Sequence, residues 1–135
     1  MLTVIDRVNE ALYNRLIANN DAPYHGTQLN IIGVSGRMPD IFPTLSVVSL
    51  GETTAASDLQ HTEQAAIWST LELKAYSVNN LYESSQLLND AGDILLSLGY
   101  HPTLGPETLS DTSPYCKVAR FRAFFGAGDL GWRFG

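Results

Sequence analysis

Residues 64–76 have the sequence QAAIWSTLELKAY, and residues 80–100 have the sequence NLYESSQLLNDAGDILLSLGY. In the first stretch the more apolar side chains alternate with polar or aromatic ones, which is the period of a half-buried β-strand. In the second stretch leucines recur seven residues apart within a broad apolar face, as in an amphipathic α-helix. The sequence therefore predicts a long strand that leads directly into a long helix.

The faces and ends of this unit can be predicted as well. Alternation places Glu72 and Lys74 on the outward side of the strand. The helix is expected to run from residue 79 or 80 to residue 98. Gly99 then takes the position after the helix, because glycine accepts the left-handed backbone that ends helices.

Fewer elements are predicted before this unit. An apolar stripe at spacings of three and four predicts a first helix that ends near Asn19–Asn20. Residues 21–43 are rich in glycine and proline and are expected to be irregular, with Leu29–Val34 as a possible short strand. Thr44–Leu50 is rich in aliphatic and β-branched residues and predicts a strand. The apolar stripe of the first helix consists of Ile5, Val8, Leu12 and Leu16.

The remaining segments complete the predicted domain. Gly51–His61 is small and polar and is expected to form a flexible hairpin tip. Thr103–Pro114 is predicted to be a loop, and Tyr115–Phe125 to be the last strand. In that strand Arg120 and Arg122 alternate with apolar residues, so both arginines are expected to point away from the core.

These elements predict an α+β fold in a single small domain over residues 1–126, in the order α-β-β-α-β. The sheet is expected to be mostly antiparallel or mixed, with two helices packed on one face. A chain of 135 residues is the size of one domain. Residues 127–135 are predicted to be a flexible C-terminal tail, in which Trp132 and Phe134 need a partner to be buried.

Composition limits the classes of function. The net charge of −6 argues against a general nucleic-acid binder, which would carry a basic excess. The single cysteine, Cys116, cannot form an internal disulfide and fits a reduced intracellular setting, and it is expected to be a small core or strand residue and not a nucleophile. No apolar run is long enough to span a membrane, and no secretory signal is visible, so neither is expected.

The motifs that could carry chemistry lack their structural context. Residues 126–131, GAGDLG, match the dinucleotide fingerprint, but that fingerprint needs a following helix and strand, and only four residues follow here. The histidines His25, His61 and His101 are expected in separate loops, without cysteine or carboxylate at ligand spacing. We therefore predict no catalytic residue, no metal and no cofactor, and a protein that is not an enzyme.

The two arginines of the last strand are the clearest polar signal. They are expected to meet acidic groups of a neighbouring subunit, or phosphate; the alternative is cross-strand pairing, for example with Glu72. Both interpretations stay open at this point. The candidate interface residues are Arg120, Arg122, Glu72, Lys74, Trp132 and Phe134.

The chain also resembles a known family. The opening TVIDRV (residues 3–8), the strand WSTLEL (68–73), the helix end LLSLGY (95–100) and the closing VARFRA (118–123) occur in an order similar to that in tail-terminator (tail-completion) proteins of long-tailed bacteriophages. That resemblance implies a small α+β subunit that closes into a hexameric ring. The ring sits on the finished tail tube, stops its growth and offers a docking surface to the head connector.

The resemblance also implies the partners and the location. The expected partners are further copies of the chain, the major tail tube protein and the head–tail connector protein, with DNA passing through the lumen without specific binding and no membrane contact. The expected location is the virion, in the tail or neck, after assembly in the cytoplasm of a bacterial host. The alternatives are a head-side adaptor or stopper protein of the phage neck, or a small non-viral enzyme or ligand-binding domain.

Overall fold

The computed structural model describes residues 4–33, 39, 41–54 and 67–126. These residues form an α+β domain, so the predicted fold class is confirmed. A first helix, α1, ends in one π-helical turn, and a second helix, α2, lies between the third and fourth strands. The elements are α1 (Val4–Tyr13) with its π turn (Asn14–Ala18), β1 (Asn30–Ile32), β2 (Thr44–Thr54), β3 (Ile67–Ser77), α2 (Leu81–Ser97), β4 (His101–Ser110) and β5 (Tyr115–Phe125).

The strands form one five-stranded mixed sheet in the order β1-β2-β3-β5-β4. β1 is parallel to β2, and the remaining neighbours are antiparallel. Buried side chains from α1, α2 and alternate positions of β2, β3 and β5 belong to one hydrophobic core. Both helices therefore pack on the same face of the sheet, and the opposite face carries no helix of the described chain.

The register between β3 and β5 confirms the predicted faces of both strands. Leu71 lies opposite Phe121, and both side chains are buried under the helices. One residue along, Glu72 lies opposite Arg120 on the other face. Side chains alternate between the faces of a sheet, so this register leaves Arg122 outside the core as well.

The loop predicted at Thr103–Pro114 is wrong over most of its length, because His101–Ser110 is strand β4. Pro102, Pro106 and Gly105 are residues that disfavour strands, and they obscured the pattern. The strand is tolerated at the edge of the sheet, where one row of N–H groups needs no partner in the sheet. Its pairing with β5 is interrupted at several points. His101 accordingly begins a strand and does not lie in a loop.

Two more boundaries differ from the prediction. β2 runs on to Thr54, past a bulge at Leu50, so the segment predicted as a hairpin tip begins as strand. The irregular segment after α1 packs on the domain more closely than its glycine- and proline-rich sequence indicated. Leu29 is buried in the core, and Tyr24 packs against that core. The rest of the predicted tip (residues 55–61) and the C-terminal tail (127–135) lie outside the described residues.

Both ends of α2 are capped. The side chain of Asn80 accepts a hydrogen bond from the Glu83 amide at 2.7 Å, as an N-cap residue does. At the other end Gly99 has a φ of +103°, and the Tyr100 amide donates to the Leu95 carbonyl at 2.9 Å. This is a Schellman ending, so the predicted role of Gly99 is confirmed. The reversal at Gly99 directs the chain into β4 alongside the helix.

Gly105 in β4 offers a test of this edge strand. Its φ is +74°, and an added Cβ would lie 2.6 Å from the carbonyl oxygen of Val118 on β5. We expect Gly105→Ala to lower the free energy of unfolding by well over the roughly 1–2 kcal/mol that a left-handed backbone costs a non-glycine residue. Urea unfolding followed by circular dichroism would measure the change.

Gly26 is the matched control for this substitution. It has a similar φ of +79°, but an added Cβ would meet nothing within 4 Å. Gly26→Ala should therefore lower the free energy of unfolding only by the roughly 1–2 kcal/mol that the left-handed backbone costs a non-glycine residue. If the two substitutions lower the free energy of unfolding equally, Gly105 is not confined by β5.

Tyr24 links the segment after α1 to α2. Its hydroxyl donates a hydrogen bond to a carboxylate oxygen of Asp90 at 3.0 Å. Burial, and next the hydrogen bond and negative charge of Asp90, raise the pKa of Tyr24 well above its ordinary value. Above an ordinary tyrosine pKa of about 10, the unfolded chain loses this proton while the folded chain keeps it, so stability falls as pH rises.

Tyr24→Phe removes this titrating group and keeps the ring. We expect the variant to lose less stability than the wild type between about pH 9 and pH 11, although its stability at neutral pH is lower. Urea midpoints over that range would measure the two slopes. Tyr82→Phe is the control, because Tyr82 is 73% exposed. The same slope in Tyr24→Phe and the wild type would mean that the Tyr24 pKa is not raised.

Candidate assembly interface

The face of the sheet opposite the helices is the first candidate surface, and we call it the open sheet face. It is built from alternate residues of β3 and β5, which lie opposite one another in register. From one end to the other the pairs are Tyr76–Cys116, Lys74–Val118, Glu72–Arg120, Thr70–Arg122 and Trp68–Phe124. The character of this face changes along its length from buried, through charged, to exposed and aromatic.

The end of the open sheet face at Cys116 is buried. Tyr76, Cys116 and Val118 are each less than a tenth exposed. Burial raises the pKa of the Cys116 thiol, which keeps it protonated at neutral pH. The thiolate is the reactive form of cysteine, so this environment makes Cys116 unreactive. Cys116 is a buried strand residue, as predicted.

The middle of the face is an ion-pair group. The Nε of Arg120 donates to Glu72 Oε2 at 3.0 Å, and Lys74 Nζ lies 3.9 Å from Glu72 Oε1. For Arg120 the cross-strand alternative is therefore what the structure shows. Ion pairs at a surface contribute about 0–1 kcal/mol. Three of the six predicted interface residues are brought together here, and they satisfy one another.

The exposed end of the face carries a stacked cluster, which we call the Trp68 cluster. The guanidinium carbon of Arg122 lies 4.1 Å from the centre of the Trp68 ring. The Trp68 and Phe124 rings meet edge to face with their centres 4.7 Å apart. Phe124 is 45% exposed. Its side chain is thus available to another molecule.

Arg122 differs from Arg120 in having no carboxylate partner among the described residues. Stacking on Trp68 occupies one flat face of its guanidinium. The N–H donors lie in the plane of the group, so stacking leaves them free for a carboxylate. The cluster therefore presents a positioned cation beside an exposed ring.

Trp68 and Phe124 were not among the predicted interface residues. The available signal was that each is aromatic and lies on the polar side of its strand. Only the register of β3 with β5 places them together with Arg122. The predicted interface residues Trp132 and Phe134 lie outside the described part of the chain.

A second candidate surface is the α2–β4 groove, an apolar depression of about 160 Å³ on the helix side of the sheet. Leu88, Gly92 and Phe121 are buried beneath it. Its lining also includes Asp93 and Leu96 from the exposed side of α2, and Pro102 and Pro106 from β4. Gly92 keeps the helix close to β5, because an added Cβ would lie 3.2 Å from the Phe121 ring.

α2 carries an exposed stripe along this groove. The stripe repeats at spacings of four and three and so follows one side of the helix. Its single acidic member, Asp93, is not balanced within the helix, because α2 contains two further carboxylates, Glu83 and Asp90, and no lysine or arginine. The stripe consists of Tyr82, Gln86, Asn89, Asp93 and Leu96.

Neither a metal centre nor a membrane-spanning helix is seen among the described residues. Within residues 4–33, 39, 41–54 and 67–126, no three histidine, cysteine or acidic side chains meet in a way that could hold a metal ion. Of the histidines considered from the sequence, His25 contacts the Ile17 carbonyl at 2.8 Å, and His61 lies outside the described residues. No helix in the described part of the chain is long and apolar enough to cross a membrane.

Comparison with known proteins adds no identity. No protein-family model matches this chain, and no curated protein shows significant sequence similarity to it. The function of the chain is therefore inferred from the two surfaces and from the sequence resemblance.

Proposed function

We propose that this protein is a structural subunit of a bacteriophage tail: a tail terminator that forms a ring, caps the tail tube and joins it to the head connector. The observation that carries the proposal is the Trp68 cluster, an exposed aromatic and arginine group at the end of a sheet face on which neither described helix packs. The α+β fold supports it, since the resemblance implies such a fold.

The chemistry of the cluster favours association with another protein. Tryptophan, phenylalanine and arginine are enriched at the centres of protein interfaces, where they contribute most of the binding energy. Arg122 is already held by Trp68, so less side-chain freedom is lost when a partner binds. A subunit that uses two different surfaces to bind its own copies forms a ring when the rotation between copies closes.

The remaining partners follow from this role. One side of the ring would meet the major tail tube protein, and the other the head–tail connector protein. DNA would pass through the lumen without specific binding, which a net charge of −6 favours because the surface repels phosphate. The protein would need neither catalytic residues nor a cofactor, and it would be located in the virion.

Binding to tail tubes tests the proposal. Purified chain would be added to growing tubes assembled from a major tail tube protein of the genome that encodes the chain, and the products imaged by negative-stain electron microscopy. We expect rings at one end of each tube and no further elongation at that end. Binding along the whole tube, or no binding at a tube end, would contradict the proposal. Binding to the connector alone would support a head-side adaptor or stopper instead.

The α2–β4 groove is the feature that a second candidate function, that of a small ligand-binding domain, would require. Its volume of about 160 Å³ is below the roughly 300–1,000 Å³ of typical small-molecule pockets. It is better matched to one side chain than to a whole metabolite. This match leads to a more specific account of the ring.

A further inference from the structure

We propose that the ring closes through a head-to-tail contact in which Phe124 of one copy enters the α2–β4 groove of the next copy, and Arg122 of the first pairs with the partner's Asp93. This inference rests on the proposed function, since it names the contact by which that ring forms. It joins the two surfaces described above, which lie on opposite faces of the same sheet. The occupant of the groove is therefore a second copy of this chain.

The size and lining of the groove fit one aromatic ring. An apolar cavity of about 150 Å³ is known to hold one benzene molecule, and the groove has about 160 Å³. Leu88 and Phe121 provide apolar surface beneath it, and Pro102 and Pro106 provide apolar surface from β4. Phe124 carries an exposed phenyl ring and lies in β5, a strand with a neighbour on each side in the sheet. Burying it here would remove apolar surface of both copies from water.

Charge complementarity selects Asp93 as the acidic partner. Among the carboxylates of α2, Glu83 accepts hydrogen bonds from Asn79, and Asp90 accepts them from Tyr24 and Gln86. Asp93 is exposed and has no hydrogen bond or ion pair with another described residue. It is also the acidic residue that lines the groove. A ring that enters the groove therefore arrives beside an available carboxylate.

The spacing of Arg122 and Phe124 on β5 places the guanidinium of Arg122 beside the groove that Phe124 would enter. Arg122 and Phe124 are two residues apart on one face of the strand, about 7 Å along it. When Phe124 occupies the groove, the long side chain of Arg122 reaches its rim, where Asp93 lies. Trp68 fixes one flat face of the guanidinium, so its edge is presented to the carboxylate.

The contact must be head-to-tail because its two halves are on opposite sides of the subunit. Each copy offers one Trp68 cluster on the open sheet face and one groove on the helix side. A pair of copies joined this way still has one free surface of each kind. Such a contact adds copies in one direction, and it gives a ring when the rotation between successive copies closes and an open filament when it does not.

A charge exchange between two variants tests this arrangement. Arg122→Glu spoils only the cluster half of the contact, and Asp93→Arg spoils only the groove half. Each variant alone should have at least tenfold weaker self-association than the wild type by light scattering or sedimentation. An equimolar mixture should assemble again, because alternating copies form one native Arg122–Asp93 pair and one reversed pair.

The controls use residues outside the contact. Glu10 is exposed on α1 and lies outside the proposed contact. Glu10→Arg should therefore associate with itself like the wild type. When it is mixed with Arg122→Glu, no alternating assembly of the two variants should form. Phe124→Ala should weaken association at least tenfold without lowering the thermal midpoint by more than a few degrees. This variant tests the aromatic half of the contact.

The outcomes separate this inference from the function on which it rests. If the wild type forms rings but the mixture of Arg122→Glu and Asp93→Arg does not assemble, the contact is wrong and the ring-forming function stands. Rings that form normally from Phe124→Ala would also overturn the contact. A wild type that stays monomeric in solution and on tail tubes would overturn the proposed function together with this inference.

Discussion

Replacing Leu88 with aspartate is expected to unfold the domain. Leu88 is 2% exposed, lies in the middle of α2 and belongs to the core shared by the helices and the sheet. Truncating a buried leucine costs about 2–5 kcal/mol, and burying an unpaired carboxylate adds several more. A typical domain is stable by only about 5–15 kcal/mol. The sum of these losses is comparable to the whole stability.

Circular dichroism and urea unfolding would measure this effect. Asn89→Asp is the matched control, since it introduces the same side chain one residue along α2, at an exposed position. We expect the control to keep the wild-type unfolding midpoint within a small margin. A folded Leu88→Asp protein with an unchanged midpoint would show that the core face of α2 has been placed wrongly.

Reversing both arginines of β5 is expected to abolish assembly and leave the monomer folded. Arg120 and Arg122 are exposed and point away from the core, so Arg120→Glu with Arg122→Glu buries no charge. In the proposed ring the new carboxylate at position 122 would face Asp93 of a neighbouring α2, a helix that has no basic residue. Like charges that face each other across an interface weaken association strongly. Light scattering would report the mass, and circular dichroism the fold.

The two single charge reversals should have different effects, one on the stability of the monomer and the other on assembly. Arg120→Glu places a carboxylate opposite Glu72, so it should lower the free energy of unfolding by up to about 1 kcal/mol and change assembly little. Arg122→Glu should do the reverse, because Arg122 has no ion pair within the described chain to lose. If Arg120→Glu alone removes assembly as fully as Arg122→Glu, the two arginines do not have separate roles.

Local periodicity accounts for what could be predicted from the sequence. The faces of β3 and β5 follow from alternation, and the end of α2 follows from Gly99, because each of these signals lies within a few neighbouring residues. The α+β class then follows, since an amphipathic helix and half-buried strands must cover one another. The positions of Glu72 and Arg120 on one face could be predicted for the same reason.

The features that were missed depend on contacts between distant residues. β4 forms because β5 provides the edge on which Pro102 and Gly105 are tolerated, and no local pattern of residues 101–110 expresses that. The Trp68 cluster depends on the register that sets Trp68 opposite Phe124. The α2–β4 groove could not be predicted either, because one of its walls comes from β4, the strand that was not predicted.

The prolines of β4 have a consequence for how the protein behaves at high concentration. β4 is the outermost of the described strands on its side of the sheet, and its outer margin is exposed to solvent. An uninterrupted strand there would be a template for the same strand of another molecule, and sheets would accumulate into insoluble aggregates. Pro102 and Pro106 have no N–H to donate, and the irregular pairing around Gly105 disturbs the ladder further. This margin of the sheet is therefore a poor template for strand addition between crowded copies.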